Sequence, residues 1–170
     1  EDTIGTIEKG DYRHIVSFGS WSVEHYIAHA LKQCGPMHLA AVTWSIASGP
    51  IMQICNSIRA KEILSCRMVF DYRMRRWRED AYGILTSERQ SLLEMGQMLN
   101  IRLAHSHAKI YLLWNDNYHL TFSGSANITT NPRVEQMVMH ENEELLMFHL
   151  NWIDALFERS DPFDFNVDKK

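Results

Sequence analysis

No apolar run in these 170 residues approaches the ~20 needed to span a bilayer, so a helical membrane anchor is excluded within them. No amphipathic basic helix suggests docking on a membrane surface either. A signal-like pattern is missing from Glu1 onward, and there is no internal repeat or low-complexity segment. Cysteine is scarce and no C-x-x-C pair argues for zinc; no metal and no cofactor is expected. The three cysteines, Cys34, Cys55 and Cys66, are odd in number, widely spaced and set among apolar residues. They are expected as buried free thiols of a reducing compartment, which fits a cytoplasmic protein. A net positive charge is also absent: the formal charge is −4, which removes a global basic footprint for nucleic acid but not a local basic groove. What remains, 45% hydrophobic and 22% charged, is the composition of one soluble globular domain over 1–170. Its core is expected from about residue 13 to 159, with loosely ordered ends.

What is present alternates between strand-like and helix-like patterns. The residues up to about Tyr12 have no period and read as a loose arm or edge strand, followed by a short buried strand at His14–Phe18. Ser20 is a candidate N-cap for a helix with the stripe Val23, Ile27, Ala30 and Leu31, stopped by Gly35-Pro36. Met37–Ser45 has strand length, Ser48-Gly49-Pro50 opens a helix with Ile51, Ile54, Cys55 and Ile58 buried, and Leu64–Tyr72 is the next strand. Arg73 to Gly83 is charged, aromatic and aperiodic, and reads as a loop. Thr86 is expected to cap a helix running to about Leu99, before a short strand at Ile101–Ala104. Two strands then flank the turn Asn115-Asp116-Asn117, and Val134–His140 is a further strand. Asn142 caps a last helix, with Glu143 and Glu144 favourable to its dipole and Leu145, Leu146, His149, Trp152, Ile153 and Leu156 inward. From Ser160 the polar tail is expected to fray. The order implies an α/β domain with a mixed, largely parallel sheet and helices on both faces.

The densest chemistry lies between His107 and Glu135, HAKIYLLWNDNYHLTFSGSANITTNPRVE. Residues two apart on a strand share a face, so His107 and Lys109 should project together. Ser125 and Asn127 should do so too if their strand continues. A base, a cation and two neutral donors converging on one point suit a phosphate.

H-x-K at 107–109, G-S-x-N at 124–127 and the glutamate of VEQMV resemble the signature of the phospholipase D superfamily. Thr43–Asp71 also looks like the strand-helix-strand that precedes the motif there, and Glu94–Leu113 like its usual lead-in. The likeness runs from about Met37 to His140. With one H-x-K, the chain is similar to the small single-motif members, among them bacterial endonucleases whose two subunits each give half of a site. The resemblance implies an α/β/α sandwich and a homodimer. It implies that His107 attacks phosphorus and becomes a phosphohistidine, while His107 of a second copy protonates the leaving oxygen. Lys109 would neutralise the phosphoryl oxygens, and Ser125 and Asn127 would donate to them. Gly124 would allow close backbone approach, and Glu135 would hold the other nitrogen of His107. There is one departure: the superfamily's aspartate, seven residues after the histidine, is Trp114 here, and Asp116 lies two further on in the turn.

Blander readings apply elsewhere. His105 is expected as a hydrogen-bonded neighbour, His119 and His140 as strand surface, His149 as a core or dimer-face histidine. The run His140-Glu141-Asn142-Glu143-Glu144 is better explained by helix capping than by metal. The cluster Arg73, Arg75, Arg76 and Arg78 around Trp77 is read as substrate-binding, tracking a phosphate backbone with Trp77 as a stacking platform. The expected activity is a metal-independent nuclease, on DNA more readily than RNA. The alternatives are a phospholipid phosphodiesterase or phosphatidyl transferase of the same fold, and a catalytically lapsed nucleic-acid-binding module.

Overall fold

The structure, a computed structural model, describes residues 4–129 and 133–162. In chain order its elements are β1 (Tyr12–Phe18), α1 (Val23–Cys34), β2 (Met37–Thr43), α2 (Ser48–Arg59), β3 (Ile63–Asp71), α3 (Met74–Trp77), α4 (Glu79–Glu94), β4 (Leu99–Ala104), β5 (Ile110–Trp114), β6 (His119–Gly124), β7 (Val134–Glu141), α5 (Glu143–Arg159) and β8 (Asp161–Pro162). The strands form one sheet in the order β1-β7-β6-β5-β2-β3-β4-β8.

The sheet is mixed, as expected, but less parallel than the alternation of elements suggested. Among the described strands only β2–β3 and β3–β4 pair in parallel. The strand β1 crosses to pair antiparallel with β7 instead of β2, and β5 enters antiparallel between β6 and β2.

The central strand β2 shows why helices cover both faces. Its side chains alternate: Leu39 and Ala41 join the core under α1, α2 and α4, whereas Ala40 and Val42 join Leu146, Leu150 and Ile153 of α5. All four are fully buried.

Several boundaries moved for local reasons. The arm before β1 is not loose: Ile4 and Ile7 are core residues, and the Arg13 guanidinium donates to the carbonyls of Ile4 and Thr6. Ser22 rather than Ser20 caps α1, its N–H donating to Nδ1 of His25 at 3.1 Å. The Arg73–Gly83 segment is helical. Asp71 accepts the Arg73 N–H at 2.9 Å, Met74 plugs into the core, and Ala81, Leu85 and Leu92 give α4 a buried stripe. Thr86 is therefore mid-helix, its hydroxyl bonded to the Tyr82 carbonyl at 2.8 Å. Asn115 and Asn142 act as expected, one closing the hairpin through the N–H groups of Asn117 and Tyr118, the other capping α5 at Leu145. Asp161–Pro162 adds a short strand to β4, and the tail beyond lies outside the described residues.

Cys55 and Cys66 are buried, Cys34 half-buried, and all three are free. Burial, then the Glu141 charge, pushes Cys34 up to about 11; burial, then Glu88, pushes Cys55 up to about 12. No helix among the described residues is long and apolar enough to cross a membrane.

Candidate active site

The registers Val42↔Val69, Val42↔Ile110, Ile110↔Ser123 and Gly124↔Met137 bring several strand ends to one edge of the sheet. These are the carboxyl ends of β2, β3, β4 and β6 and the amino ends of β5 and β7. That is where open α/β sheets place ligands. His107, Lys109, Ser125, Asn127 and Glu135 all lie at this edge.

The histidine and lysine are not within a strand. They occupy the extended segment between β4 and β5, which continues the ladder only as far as the Lys109 carbonyl, bonded to Gly124 N–H at 3.3 Å. His107 is exposed and Lys109 half-buried. The Lys109 ammonium donates to the His107 carbonyl at 3.0 Å and lies 3.4 Å from its Nδ1. Burial lowers the Lys109 pKa below its ordinary value, and the negative charge of Glu135 opposes that.

The strand β6 ends at Gly124, and the chain then folds against β7. A Cβ on Gly124 would sit 2.1 Å from the Gln136 carbonyl oxygen and 2.9 Å from Met137 Cα. The close approach that needs glycine here is thus to the neighbouring strand. Ser125 makes the next contacts: its N–H donates to Gln136 O at 3.0 Å, its Oγ accepts Gln136 N–H at 3.1 Å, and its hydroxyl donates to the Glu135 carboxylate. Glu135 thus fixes the orientation of the Ser125 hydroxyl.

Asn127 is held from below. Its Oδ1 accepts Thr43 Oγ1 at 3.1 Å and Trp44 N–H at 3.2 Å, which commits the carbonyl side of the amide and leaves the NH₂ donors for a ligand. Thr43 is braced by Tyr111, whose hydroxyl lies 3.1 Å from Thr43 Oγ1 and 2.7 Å from the Ala126 carbonyl. Both hydroxyls are fully buried. Burial raises the Tyr111 pKa, so it stays a neutral donor. The sequence reading missed this pair. The signal available was a tyrosine inside an apolar strand, whose hydroxyl needs a partner.

Of the arginine cluster, most is engaged within the chain. Arg73 grips the fully buried Asp71 through Nε at 2.7 Å and its guanidinium also lies 5.7 Å from the Trp44 ring. Burial alone would raise the Asp71 pKa, but the Arg73 hydrogen bonds and charge outweigh it and hold the carboxyl below its ordinary value. Arg75 lies over Tyr82, Arg78 pairs with Asp80 at 3.4 Å, and Arg76 and Trp77 line an open depression. Trp44 links this region to the motif, its ring 6.5 Å from that of His107 and 6.3 Å from that of Trp77.

Trp114 is at the other end of β5. It stacks on His38 at 5.3 Å, with Arg67 over its ring. His105 lies beside Tyr72, and His149 accepts the Trp152 indole N–H at 2.9 Å.

No protein-family profile matches the sequence, and no curated protein is similar enough to match. Solved structures do match. Nuc from Salmonella typhimurium, a phospholipase D family member, superimposes with a TM-score of 0.66 at 15% identity, covering 91% of this chain and 98% of its own. NucT from Helicobacter pylori gives 0.60 at 10% identity over 89% and 99% of the two chains. Phosphatidylserine synthase from Haemophilus influenzae gives 0.57 at 10% over 87% and 38%. With the sheet order, the mixed pairing and the two helical layers, these matches identify the fold of this chain as that of the phospholipase D superfamily.

Proposed function

We propose that this protein is a metal-independent phosphodiesterase, acting as a nuclease in a site shared by two copies. The observation that carries the reading is the convergence of His107, Lys109, Ser125 and Asn127 on one edge of the sheet, with the Asn127 amide fixed so that its donors remain available. In this reading a phosphate draws Lys109 off the His107 ring and onto the phosphoryl oxygens. A nitrogen of neutral His107 attacks phosphorus, the phosphorus–oxygen ester bond breaks, and His107 of a second copy gives its proton to the leaving oxygen. Water then cleaves the phosphorus–nitrogen bond, returning a proton to that second imidazole. Ser125 and Asn127 stabilise the charge that builds on the oxygens, while Glu135 sets the Ser125 hydroxyl and favours the protonated form of Lys109.

A second copy is supported by exposed apolar surface beside the site. Phe18, 76% exposed, and Val134, 61% exposed, pair across β1 and β7 next to Glu135. Apolar side chains left bare beside a half-site favour burial against a partner. Nucleic acid is favoured over a lipid by the arginines and Trp77 of the helical segment after β3, together with Trp44 after β2. The lapsed-module alternative rested on Trp114, which lies away from the pocket.

The test is to trap a phosphohistidine at His107 on nucleic-acid diesters. Cleavage should persist in EDTA and vanish in His107→Ala. Cleavage that needs added divalent metal, or that survives His107→Ala, would sink the mechanism. Turnover of phosphatidyl lipids with none of nucleic acid would overturn the substrate, and full activity in a strict monomer the shared site.

A further inference from the structure

We infer that Trp44 and Trp77 form a stacking subsite for one unpaired nucleobase beside the phosphate pocket, so that the strand bound there is single-stranded. The inference rests on the nuclease reading and names its substrate class. Trp44 is tied to the site at both ends: its backbone N–H holds Asn127, and its ring lies near His107. Trp77 ends the short helix α3, whose one core anchor is Met74, and its own side chain is 67% exposed. A tryptophan left so far out of the core does little for folding.

The two indoles meet edge to face, inclined at 70°, and border an open cavity of about 330 Å³, lined also by Met74, Asn127, Arg78 and Arg133. The arrangement lets a flat aromatic ring lie on one indole with its edge toward the other. Asn127 is placed to donate to an acceptor on the ring or its phosphate. The guanidinium of Arg78, 3.4 Å from Asp80, has donors to spare for a neighbouring phosphate. An acyl chain would meet guanidinium and amide groups in this slot, which is a poor apolar fit. A base inside a duplex has both faces covered by its neighbours and presents only edges, so it cannot stack here. A base in a single strand can.

The experiment measures binding by fluorescence anisotropy on the His107→Ala protein, so that turnover does not consume the probe. The probes are a labelled oligothymidylate, its duplex, and the same strand with abasic spacers. The intact single strand should bind tightest. Trp77→Ala should weaken it about tenfold to a hundredfold and leave the duplex unchanged, while Trp77→Phe keeps most of the affinity. The abasic strand should lose a similar factor on the tryptophan protein and nothing further on Trp77→Ala. Equal binding of single strand and duplex, equal binding of intact and abasic strands, or no binding at all would overturn the subsite. Failure of the catalytic reading looks different: the stacking signature is present, and protein with intact His107 cleaves no diester.

Discussion

Replacing Tyr111 by Phe removes one hydroxyl from a fully buried site and tests whether the Asn127 amide is positioned from below. Tyr111 and Thr43 carry one hydroxyl proton each. The Tyr111 hydroxyl lies 2.7 Å from Ala126 O, and that shorter contact takes its proton. The one Thr43 proton then has three acceptors in reach, Asn127 Oδ1 and the Tyr111 oxygen at 3.1 Å each and Ser45 O at 3.3 Å. Without the phenol, the Ala126 carbonyl loses that donor in a buried setting, a cost of about 1–3 kcal/mol. For a chain of this size that lowers Tm by roughly 2–12 °C. The peptide freed is the one leading into Asn127, so turnover should suffer as well. Thr43→Val, which keeps the volume but removes the Asn127 partner, should cost about tenfold in kcat, less than the 10²–10³-fold of deleting a donor outright. Urea unfolding gives the stability, diester cleavage the rate, and the double variant the coupling between the hydroxyls. An unchanged Tyr111→Phe midpoint, or normal kcat in Thr43→Val alongside a severe loss in Asn127→Ala, refutes the positioning.

Gly124→Ala places a methyl 2.1 Å from a backbone oxygen of β7, and the strand must shift, so a loss of about 3 kcal/mol is expected in urea unfolding; a loss below about 1 kcal/mol would show that β7 yields freely. Trp114→Asp supplies the superfamily's motif residue at the far end of β5, so cleavage should not increase; a clear gain in kcat would place that position in the site after all. Burial, then His14, lowers the His140 pKa, and burial, then His140, lowers that of His149. The folded chain therefore takes up these protons less readily than the unfolded one. Stability should be full above about pH 6.5 and decline as pH falls through the depressed folded values. Urea midpoints taken at about pH 7.5 and 5.5 read this out, and His149→Gln should flatten the change; a flat wild-type profile contradicts it.

Much of the fold was legible because buried strands and capped helices leave local marks. The β2 run, the Asn115 turn and the Asn142 cap are decided by residues adjacent in sequence. The pairing of β1 with β7 is not, because nothing in HIVSF says which distant strand will accept it. Likewise the first half of α4 was hidden by its exposed charges, so the helix expected from Thr86 begins at Glu79. Its buried stripe of Ala81, Leu85 and Leu92 is sparse, and the aromatic and arginine residues ahead of it mask its start.

The candidate site divides along the same line. His107, Lys109, Ser125 and Asn127 could be read because their chemistry is written in short motifs. Thr43, Trp44 and Tyr111 could not, because they act through a hydrogen-bond chain that joins three strands. Trp114 is the converse case. A motif read as text treats the residue seven after the histidine as a member of the cluster. On a strand, the five steps from Lys109 to Trp114 span about 17 Å at ~3.3 Å each, the length of β5. Lys109 O pairs with Gly124 N–H at one end, and Trp114 pairs with His119 at the other. Any influence of that position on a phosphate must therefore pass through the packing of β5 rather than through contact. Here that packing is a tryptophan stacked on His38 under Arg67.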